Sequence, residues 1–131
     1  MPTNEELTSR IIGAAITVHK ELGPGFIESI YEESLAVEFD HLDIAYERQK
    51  PVTIRYRCQP VGEHRLNFLV EDCVVVELKA VLELEKIFFA TTRSYLKATG
   101  THIGLLMNFA SMPLTVKRVG QEDLNYLRSH S

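Results

Sequence analysis

The sequence predicts a mixed α/β fold, that is, an α+β domain built around a mixed sheet. Two observations predict it: two amphipathic helical segments precede three strand-like runs, and a strand–helix–strand unit follows them. The predicted order of elements is helix-helix-β-β-β-helix-β-β. Because 131 residues suffice for one domain and no linker composition interrupts them, we expect a single domain over residues 1–131.

The first predicted helix has clear signals at both ends. Thr3 and Glu6 form a capping box, in which Thr3 is the N-cap and the Glu6 side chain reaches back to it. Apolar residues then recur every three or four positions as far as Leu22. Gly23 suits the left-handed position after a helix and Pro24 cannot continue one, so we expect the helix to end there.

A second helix is predicted over residues 26–42, and its buried stripe contains an unexpected charge. The stripe at helical spacing comprises Glu28, Tyr31, Leu35, Phe39 and Leu42. A carboxylate within an apolar stripe costs free energy unless a partner or a ligand compensates its charge. Glu28 is therefore the first candidate functional residue.

After the second helix, hydrophobicity alternates with a period of two, which predicts an antiparallel meander of three strands. Residues 59–63 have a turn-forming composition and are expected to connect the first two strands. Residues 71–72 are expected to form the second turn. In the second strand, the alternation places Asn67 on the face opposite Leu66 and Phe68.

The remaining elements complete the strand–helix–strand unit. A helix over residues 87–99, closed by Gly100, joins the third strand to a buried strand at residues 102–109. A connection of this length implies a right-handed crossover and parallel pairing. Residues 114–119 form a last strand, expected at an edge of the sheet, and residues 122–128 a short terminal helix.

Glu77 and Lys79 interrupt the otherwise apolar third strand, residues 74–81. Side chains alternate across a strand, so both project from the same face. Alone, such a pair is more often a buried ion pair, or a lysine extending to solvent, than a functional site. Asn67 and Glu28 favour a site, because the packed helix would bring Glu28 onto the face that Asn67 and Glu77 share. Oxygen ligands gathered in this way suit a hard cation such as Mg²⁺.

Four segments resemble the GxxExxY protein family in order and spacing. They read LGPGFIESIY at residues 22–31, VVELKA at 75–80, SYLKATG at 94–100 and GLLMNF at 104–109. Gly25, Glu28 and Tyr31 stand at the positions that name the family, and the resemblance extends from Ile11 to Val119. This family is placed in the PD-(D/E)XK nuclease superfamily, whose members are mostly Mg²⁺-dependent nucleases. The resemblance therefore implies a PD-(D/E)XK nuclease-like core.

The resemblance also implies roles for individual residues. Glu28, Asn67 and Glu77 would be ligands of Mg²⁺ or Mn²⁺, and Glu77 and Lys79 would be the catalytic pair. Two positions depart from the pattern. Asn67 stands where the superfamily has Asp, and Thr91 stands nearest to the position at which many relatives carry a Gln on the third helix. At an effective dielectric of about 20, one unit charge close to the ion is worth several kcal/mol before desolvation. The amide at position 67 therefore predicts weaker metal binding and attenuated activity.

Further residues are candidates for the surroundings of the site. Three residues are candidates to line it, although helical aromatic residues more often belong to the core: Tyr31, Thr91 and Tyr95. Three arginines of the meander are candidate phosphate contacts: Arg55, Arg57 and Arg65. Arg55 and Arg57 are expected on one strand face. The alternative for these arginines is an ordinary solvated face balanced by acidic neighbours.

These observations leave two classes of function open. The first is a Mg²⁺-dependent nuclease that hydrolyses phosphodiester bonds of nucleic acid, attenuated by Asn67. The second is a non-catalytic module that keeps the fold in order to bind nucleic acid or a protein partner. A homodimer formed through the last strand or the first helix is a further, structural expectation. The net charge of −4 argues against broad charge-driven nucleic-acid binding but allows a local basic groove.

Other chemistries and locations find little support in the sequence. The histidines lack metal-ligand spacing, and neither a glycine-rich phosphate loop nor a serine elbow occurs. Cys58 and Cys73 have neither metal spacing nor a disulfide-rich context, so we expect reduced thiols. The N-terminus does not read as a secretion signal and no apolar run reaches bilayer length. We therefore expect a cytoplasmic protein without membrane contact.

Overall fold

The five strands of the protein form one sheet with helices on both faces. The computed structural model describes residues 4–121. Its elements are α1 Asn4–Leu22, α2 Glu28–His41, β1 Tyr46–Tyr56, β2 Gln59–Val70, β3 Val74–Lys79, α3 Lys86–Thr99, β4 Ile103–Asn108 and β5 Thr115–Gly120. The predicted order helix-helix-β-β-β-helix-β-β is confirmed. The capping role of Thr3 and the terminal helix at 122–128 lie outside the described residues.

The sheet is mixed, and its strands lie in the order β1-β2-β3-β4-β5. β1, β2 and β3 pair antiparallel, β3 and β4 pair parallel, and β4 and β5 pair antiparallel. The parallel pair is joined through α3, because parallel strands need a crossover connection. β5 lies at one edge, as predicted, and β1 lies at the other. The C-terminal ends of β3 and β4 therefore lie side by side.

α1 and α3 end at the predicted glycines, Gly23 and Gly100, and both have the left-handed conformation that was predicted for Gly23. Gly23 has a φ of 69° and donates its N–H to the carbonyl of His19 at 2.8 Å. Gly100 has a φ of 72° and donates to the carbonyl of Leu96. A glycine tolerates this φ without the strain that a side chain would cause. Within residues 4–121, no helix is long and apolar enough to cross a membrane.

α1 and α2 cover one face of the sheet, and α3 covers the other. Val76 of β3 packs in the cluster of α1 and α2, whereas Val75 packs in the cluster of α3 together with Tyr95. Alternation along the strand then places Glu77 and Lys79 on the α3 face. The surroundings of Glu77 support this placement, because its charge acts on Tyr95 of α3. The prediction that Glu77 and Lys79 share a face is confirmed.

Both hairpins of the meander close with two residues of positive φ. Arg57 and Cys58 have φ values of 50° and 63°, and Glu71 and Asp72 have φ values of 50° and 54°. Two such residues give the tight turn whose twist matches that of the flanking strands. The turn predicted at residues 71–72 is confirmed. The turn predicted at residues 59–63 is wrong, because these residues lie in β2 and most of them pair with β1.

β1 and β2 are distorted where Gln49 lies opposite Asn67. Gln49 has a φ of 50° in the middle of β1, and cross-strand pairs resume on either side of it. As a result, Leu66 packs in the α3 cluster while Phe68 packs in the cluster of α1 and α2. The regular alternation predicted for β2, with Leu66 and Phe68 on one face, is therefore wrong. A left-handed residue interrupts the pleat and turns the strand pair locally.

Candidate active site

β2 and β3 separate at the point where Asn67 lies across from Glu77. The ladder between these strands joins residues 68–70 to residues 74–76 and ends there. Beyond the ladder, side-chain oxygens replace the backbone carbonyls as acceptors. The Asn67 N–H donates to Glu77 Oε1 at 3.1 Å, and the Leu78 N–H donates to Asn67 Oδ1 at 3.0 Å. Both backbone donors keep a partner although the ladder has ended. The separation creates a polar opening within an apolar sheet.

Glu77 is a buried carboxyl at this opening, with 7% of its surface exposed. The pKa of Glu77 is raised to about 7, chiefly by burial and to a lesser extent by the charges of Glu28 and Glu32. The Asn67 N–H and the charge of Lys79 act in the opposite direction and lower the pKa. A carboxyl group with a pKa near neutrality exchanges its proton easily for a cation.

Lys79 is half-buried on the same strand face as Glu77. None of the ion pairs among residues 4–121 includes it. Its Nζ atom instead lies 4.8 Å from the centroid of the Phe88 ring, in a cation–π contact with α3. Glu77 and Lys79 therefore do not form the buried ion pair that was the simplest interpretation of the sequence. The ammonium group remains able to contact a ligand at the opening.

Glu28 is the first residue of α2 and is half-buried. Within the described part of the chain, it has no hydrogen-bond or ion-pair partner, while its charge raises the pKa of Glu77. A carboxylate in the first helical turn is stabilised by the helix dipole. Glu28 thus lies near enough to Glu77 for its charge to act there, and its role as a metal ligand stays a prediction.

Tyr31 supports the loop before Glu28 from inside the core. It is fully buried and stacks on Phe109 with ring centroids 4.7 Å apart. Its hydroxyl donates to the carbonyl of Gly23 at 2.6 Å and accepts the N–H of Phe26 at 3.2 Å. The expectation that Tyr31 lines the site is corrected accordingly, because a side chain without exposed surface offers none to a ligand.

Glu32 is a site residue that the sequence did not reveal. Only 7% of its surface is exposed. Its Oε1 atom accepts hydrogen bonds from Gln49 Nε2 at 2.6 Å and from Asn67 Nδ2 at 2.7 Å, and its Oε2 atom accepts one from Arg48 Nη2 at 2.9 Å. The available signal was spacing: Glu32 follows Glu28 by four residues and so lies on the same side of the helix.

Tyr95 of α3 lies on the same face of the sheet as Glu77, and its place in the lining of the site stays a prediction. Burial and the charge of Glu77 raise the pKa of Tyr95. Its hydroxyl forms a hydrogen bond of 3.2 Å with Nδ1 of His64 in β2, a residue that sequence reasoning did not select. Thr91 donates its hydroxyl to the carbonyl of Ile87 within α3 at 2.9 Å, so this group already has a partner.

The three candidate arginines lie at different distances from the opening. Arg65 donates to the carbonyl of Gln49 at 3.2 Å and is therefore next to the site. Arg55 lies on the exposed outer part of the β1–β2 hairpin. Arg57 lies in the turn of that hairpin, with its guanidinium 5.9 Å from the ring centroid of Tyr56. The expectation that Arg55 and Arg57 share a strand face is thus wrong, since the turn begins at Arg57.

The opening offers a metal ion two carboxylates, those of Glu28 and Glu77. Within residues 4–121, no group of three or more His, Cys, Asp or Glu side chains could hold a metal ion. Mg²⁺ commonly needs only one or two protein carboxylates, because waters and substrate phosphates complete its shell. Glu28 and Glu77 fit this requirement, and a cation would relieve their mutual repulsion. Asn67 Oδ1 accepts the Leu78 N–H and keeps a second lone pair.

Residues 5–119 match the family model of the PD-(D/E)XK nuclease superfamily. The chain belongs to this superfamily, and its mixed five-stranded sheet with flanking helices is a PD-(D/E)XK nuclease-like fold. No curated protein and no solved structure matches the chain.

Proposed function

We propose that this protein is a metal-dependent nuclease of the GxxExxY group, which hydrolyses phosphodiester bonds in nucleic acid. The observation that carries the proposal is the buried carboxyl of Glu77 at the opening between β2 and β3. Its pKa is raised to about 7, and Glu28 adds a second charge beside it. A buried carboxyl group with a second, repelling carboxylate near it destabilises the fold and favours binding of a cation.

Glu28 and Glu77 are the proposed protein ligands of Mg²⁺ or Mn²⁺, with the Asn67 amide oxygen as the weaker third. When bound, the ion would supply Lewis-acid polarisation of the phosphate and a more acidic water. Lys79 lies two residues beyond Glu77 on the same strand face, so its ammonium would stabilise negative charge that develops on the phosphate. Tyr95 would line the wall opposite β3.

The β1–β2 hairpin is the proposed surface for the nucleic-acid backbone. Residues 50–65 contain four basic residues, Lys50, Arg55, Arg57 and Arg65. Lys50 pairs with Glu47 at 3.0 Å and Arg65 with Glu63 at 3.6 Å, as the alternative of a balanced face predicts, so Arg55 and Arg57 are the basic residues proposed to contact phosphate most directly. Arg65 stands beside the site, and the others continue along the hairpin toward its turn. A local basic surface of this kind can bind phosphates even though the whole chain is acidic.

The metal site is tested by titrating Mg²⁺ and Mn²⁺ into the protein calorimetrically. We expect Glu77→Gln and Glu28→Gln each to weaken binding by about tenfold or more, because each removes one charged ligand. Glu21→Gln, an exposed carboxylate at the end of α1, is the matched control and should bind as the wild type does. Equal absence of binding in the wild type and in Glu77→Gln would refute the metal site.

A second candidate function is a non-catalytic module that binds nucleic acid or a protein partner. The observation that favours it is Asn67, whose amide is already bonded on both sides, to Glu32 and to the Leu78 N–H. Cleavage of plasmid or single-stranded DNA distinguishes the two functions. Cleavage by the wild type that disappears in Lys79→Ala would rule the binding module out, whereas cleavage only by Asn67→Asp would support it.

Association and location also belong to the proposal. The homodimer would form through the β5 edge strand or through α1, and light scattering of the purified protein measures it directly. The cytoplasmic setting stays a prediction from the sequence, as does a protein partner.

A further inference from the structure

The contact between Glu32 and Asn67 fixes the direction in which the Asn67 amide faces. Asn67 Nδ2 donates to Glu32 Oε1 at 2.7 Å on one side, and Asn67 Oδ1 accepts the Leu78 N–H at 3.0 Å on the other. Exchanging the oxygen and the nitrogen would set two acceptors against each other at Glu32 and two donors at Leu78. The amide therefore has a single satisfied orientation.

The same contact extends to Glu77 through the backbone. The N–H of Asn67 donates to Glu77 Oε1 at 3.1 Å. Asn67 thus joins Glu32 of α2 to Glu77 of β3. Its side chain is bonded to Glu32, and its backbone is bonded to Glu77. The contact of Asn67 with Glu32 is therefore linked to the carboxyl group of Glu77 through a single residue.

Glu32 is itself held by two residues of β1, Gln49 and Arg48. Gln49, which donates to Glu32 Oε1 at 2.6 Å, has a positive φ of 50° within β1. A residue that is not glycine keeps this unfavourable conformation only where its surroundings determine it. Arg48 donates to Glu32 Oε2 at 2.9 Å and also to Glu33 Oε1 at 2.8 Å. Three donors for one buried carboxylate leave it no alternative position.

We infer that Glu32 is the positioning residue of the candidate site and forms a matched carboxylate–amide pair with Asn67. An aspartate at position 67 would place a second carboxylate oxygen 2.7 Å from Glu32 Oε1, the distance of the present hydrogen bond. The amide is thus the group that fits beside Glu32. The effect on metal binding rests on the proposed function, whereas the pair itself rests on the hydrogen bonds alone.

The pair is tested by exchanging its two groups, with urea denaturation as the measurement. Glu32→Gln loses a charge-assisted bond in either orientation of the new amide, and Asn67→Asp replaces a bond by repulsion. We expect each to raise the unfolding equilibrium constant about tenfold or more. In the double variant, the new amide of Gln at 32 donates to Asp at 67, Gln49 turns its amide oxygen inward, and Arg48 keeps an acceptor. The double variant should return to within about threefold of the wild type.

Glu33→Gln provides the matched control, because Glu33 lies on the same helix and pairs with the same Arg48 but contacts neither Asn67 nor Gln49. Combined with Asn67→Asp, it should give additive effects, without recovery. Recovery in the Glu32→Gln background alone supports the pair. Additive effects in both backgrounds, or an Asn67→Asp variant as stable as the wild type, would overturn it.

Metal titration separates the pair from the proposed function. The exchanged double variant has the charge of the wild type, but one carboxylate has moved from α2 to the strand position beside Glu77. It should bind Mg²⁺ about tenfold more tightly than the wild type, since the charge is closer to the ion. If no variant binds Mg²⁺, the proposed metal site fails, and the stability measurements alone then decide about the pair. Unchanged Mg²⁺ affinity alongside full stability coupling would overturn the positioning role and leave a merely structural contact.

Discussion

At the scale of one residue, Glu77 is a polar group that costs free energy of folding within an otherwise apolar sheet. The carboxyl group is buried beside two other acidic side chains, yet its own hydrogen bond comes from the Asn67 backbone and the nearest positive charge that lowers its pKa is that of Lys79. A core optimised for stability alone would hold an apolar side chain at this position of β3. The buried carboxyl group therefore supports the proposed function.

The raised pKa of Glu77 makes stability depend on pH. The pKa lies at about 7 in the folded chain against an ordinary value of 4.5, so the folded state binds more protons than the unfolded state between these values. The free energy of unfolding should therefore fall by roughly 3 kcal/mol as pH rises through this window. Urea denaturation of the metal-free protein at about pH 5 and about pH 8 measures the change. In Glu77→Gln the decline should be largely absent; an equal decline would assign it to other groups.

Local patterns predicted part of the site and could not predict the rest. Glu77 and Lys79 follow from alternation along a buried strand, and Glu28 from a charge in an apolar stripe. Glu32 could not be found in this way, because its partners Asn67 and Gln49 are distant in sequence and come to it only through the packing of α2 on the sheet.

At the scale of elements, the close approach of α3 to β4 depends on Gly104. A Cβ atom at Gly104 would lie 2.9 Å from Thr92 Cγ2 and 3.3 Å from Leu96 Cδ2. These are residues of the helix that carries Tyr95 to the site. The small residue on β4 thus sets the distance between α3 and the face that holds Glu77.

Gly104→Ala should destabilise the fold by about 1–3 kcal/mol, because the added methyl group overpacks this contact. Thr92→Ser removes the clashing methyl group, keeps the hydroxyl that bonds to Phe88, and should restore much of the loss in the double variant. Gly13→Ala is the control with opposite sign: nothing lies within 4 Å of its Cβ position in α1, so we expect a gain of about 0.5–1 kcal/mol. Thermal denaturation of Gly104→Ala, Thr92→Ser, their double variant and Gly13→Ala checks these values.

The order of elements was predictable because each element has its own period and its own end signals. Gly23 and Gly100 marked helix ends that the structure confirms. The position of the first hairpin turn was not predictable from the sequence. Arg57 and Cys58 are not the residues that usually adopt positive φ, and the glycine and proline of residues 59–63 were the stronger turn signal. Cross-strand pairing outweighed local preference there.

At the scale of the whole molecule, charge is unevenly distributed. The chain has a net charge of −4, yet basic residues dominate the hairpin between residues 50 and 65. In the proposed function, nucleic acid would approach by the hairpin and be repelled by most of the remaining surface.

Binding to nucleic acid should accordingly depend on salt through few contacts. Replacing Arg55 and Arg57 together by Gln should weaken binding and reduce the slope of log K against log salt by about 2, one for each lost phosphate contact. Fluorescence anisotropy with a labelled oligonucleotide at several salt concentrations measures the slope. Lys20→Gln, a basic residue on the exposed side of α1, is the control and should leave the slope unchanged. Equal slopes in all three proteins would exclude the hairpin as the contact surface.

The early end of the β2–β3 ladder has a mechanical consequence. β3 shares three residue pairs with β2 but six with β4 along its whole length. Glu77 and Lys79 are therefore held mainly by the pairing of β3 with β4, whereas Asn67 belongs to the hairpin. The hydrogen bonds of Asn67 to Glu77 and to Leu78 join the two across the candidate site. Bending the hairpin would widen or narrow the site without breaking a single bond of the β3–β4 pair. In the proposed function, a substrate that binds the hairpin would thereby change the geometry of the site from a distance.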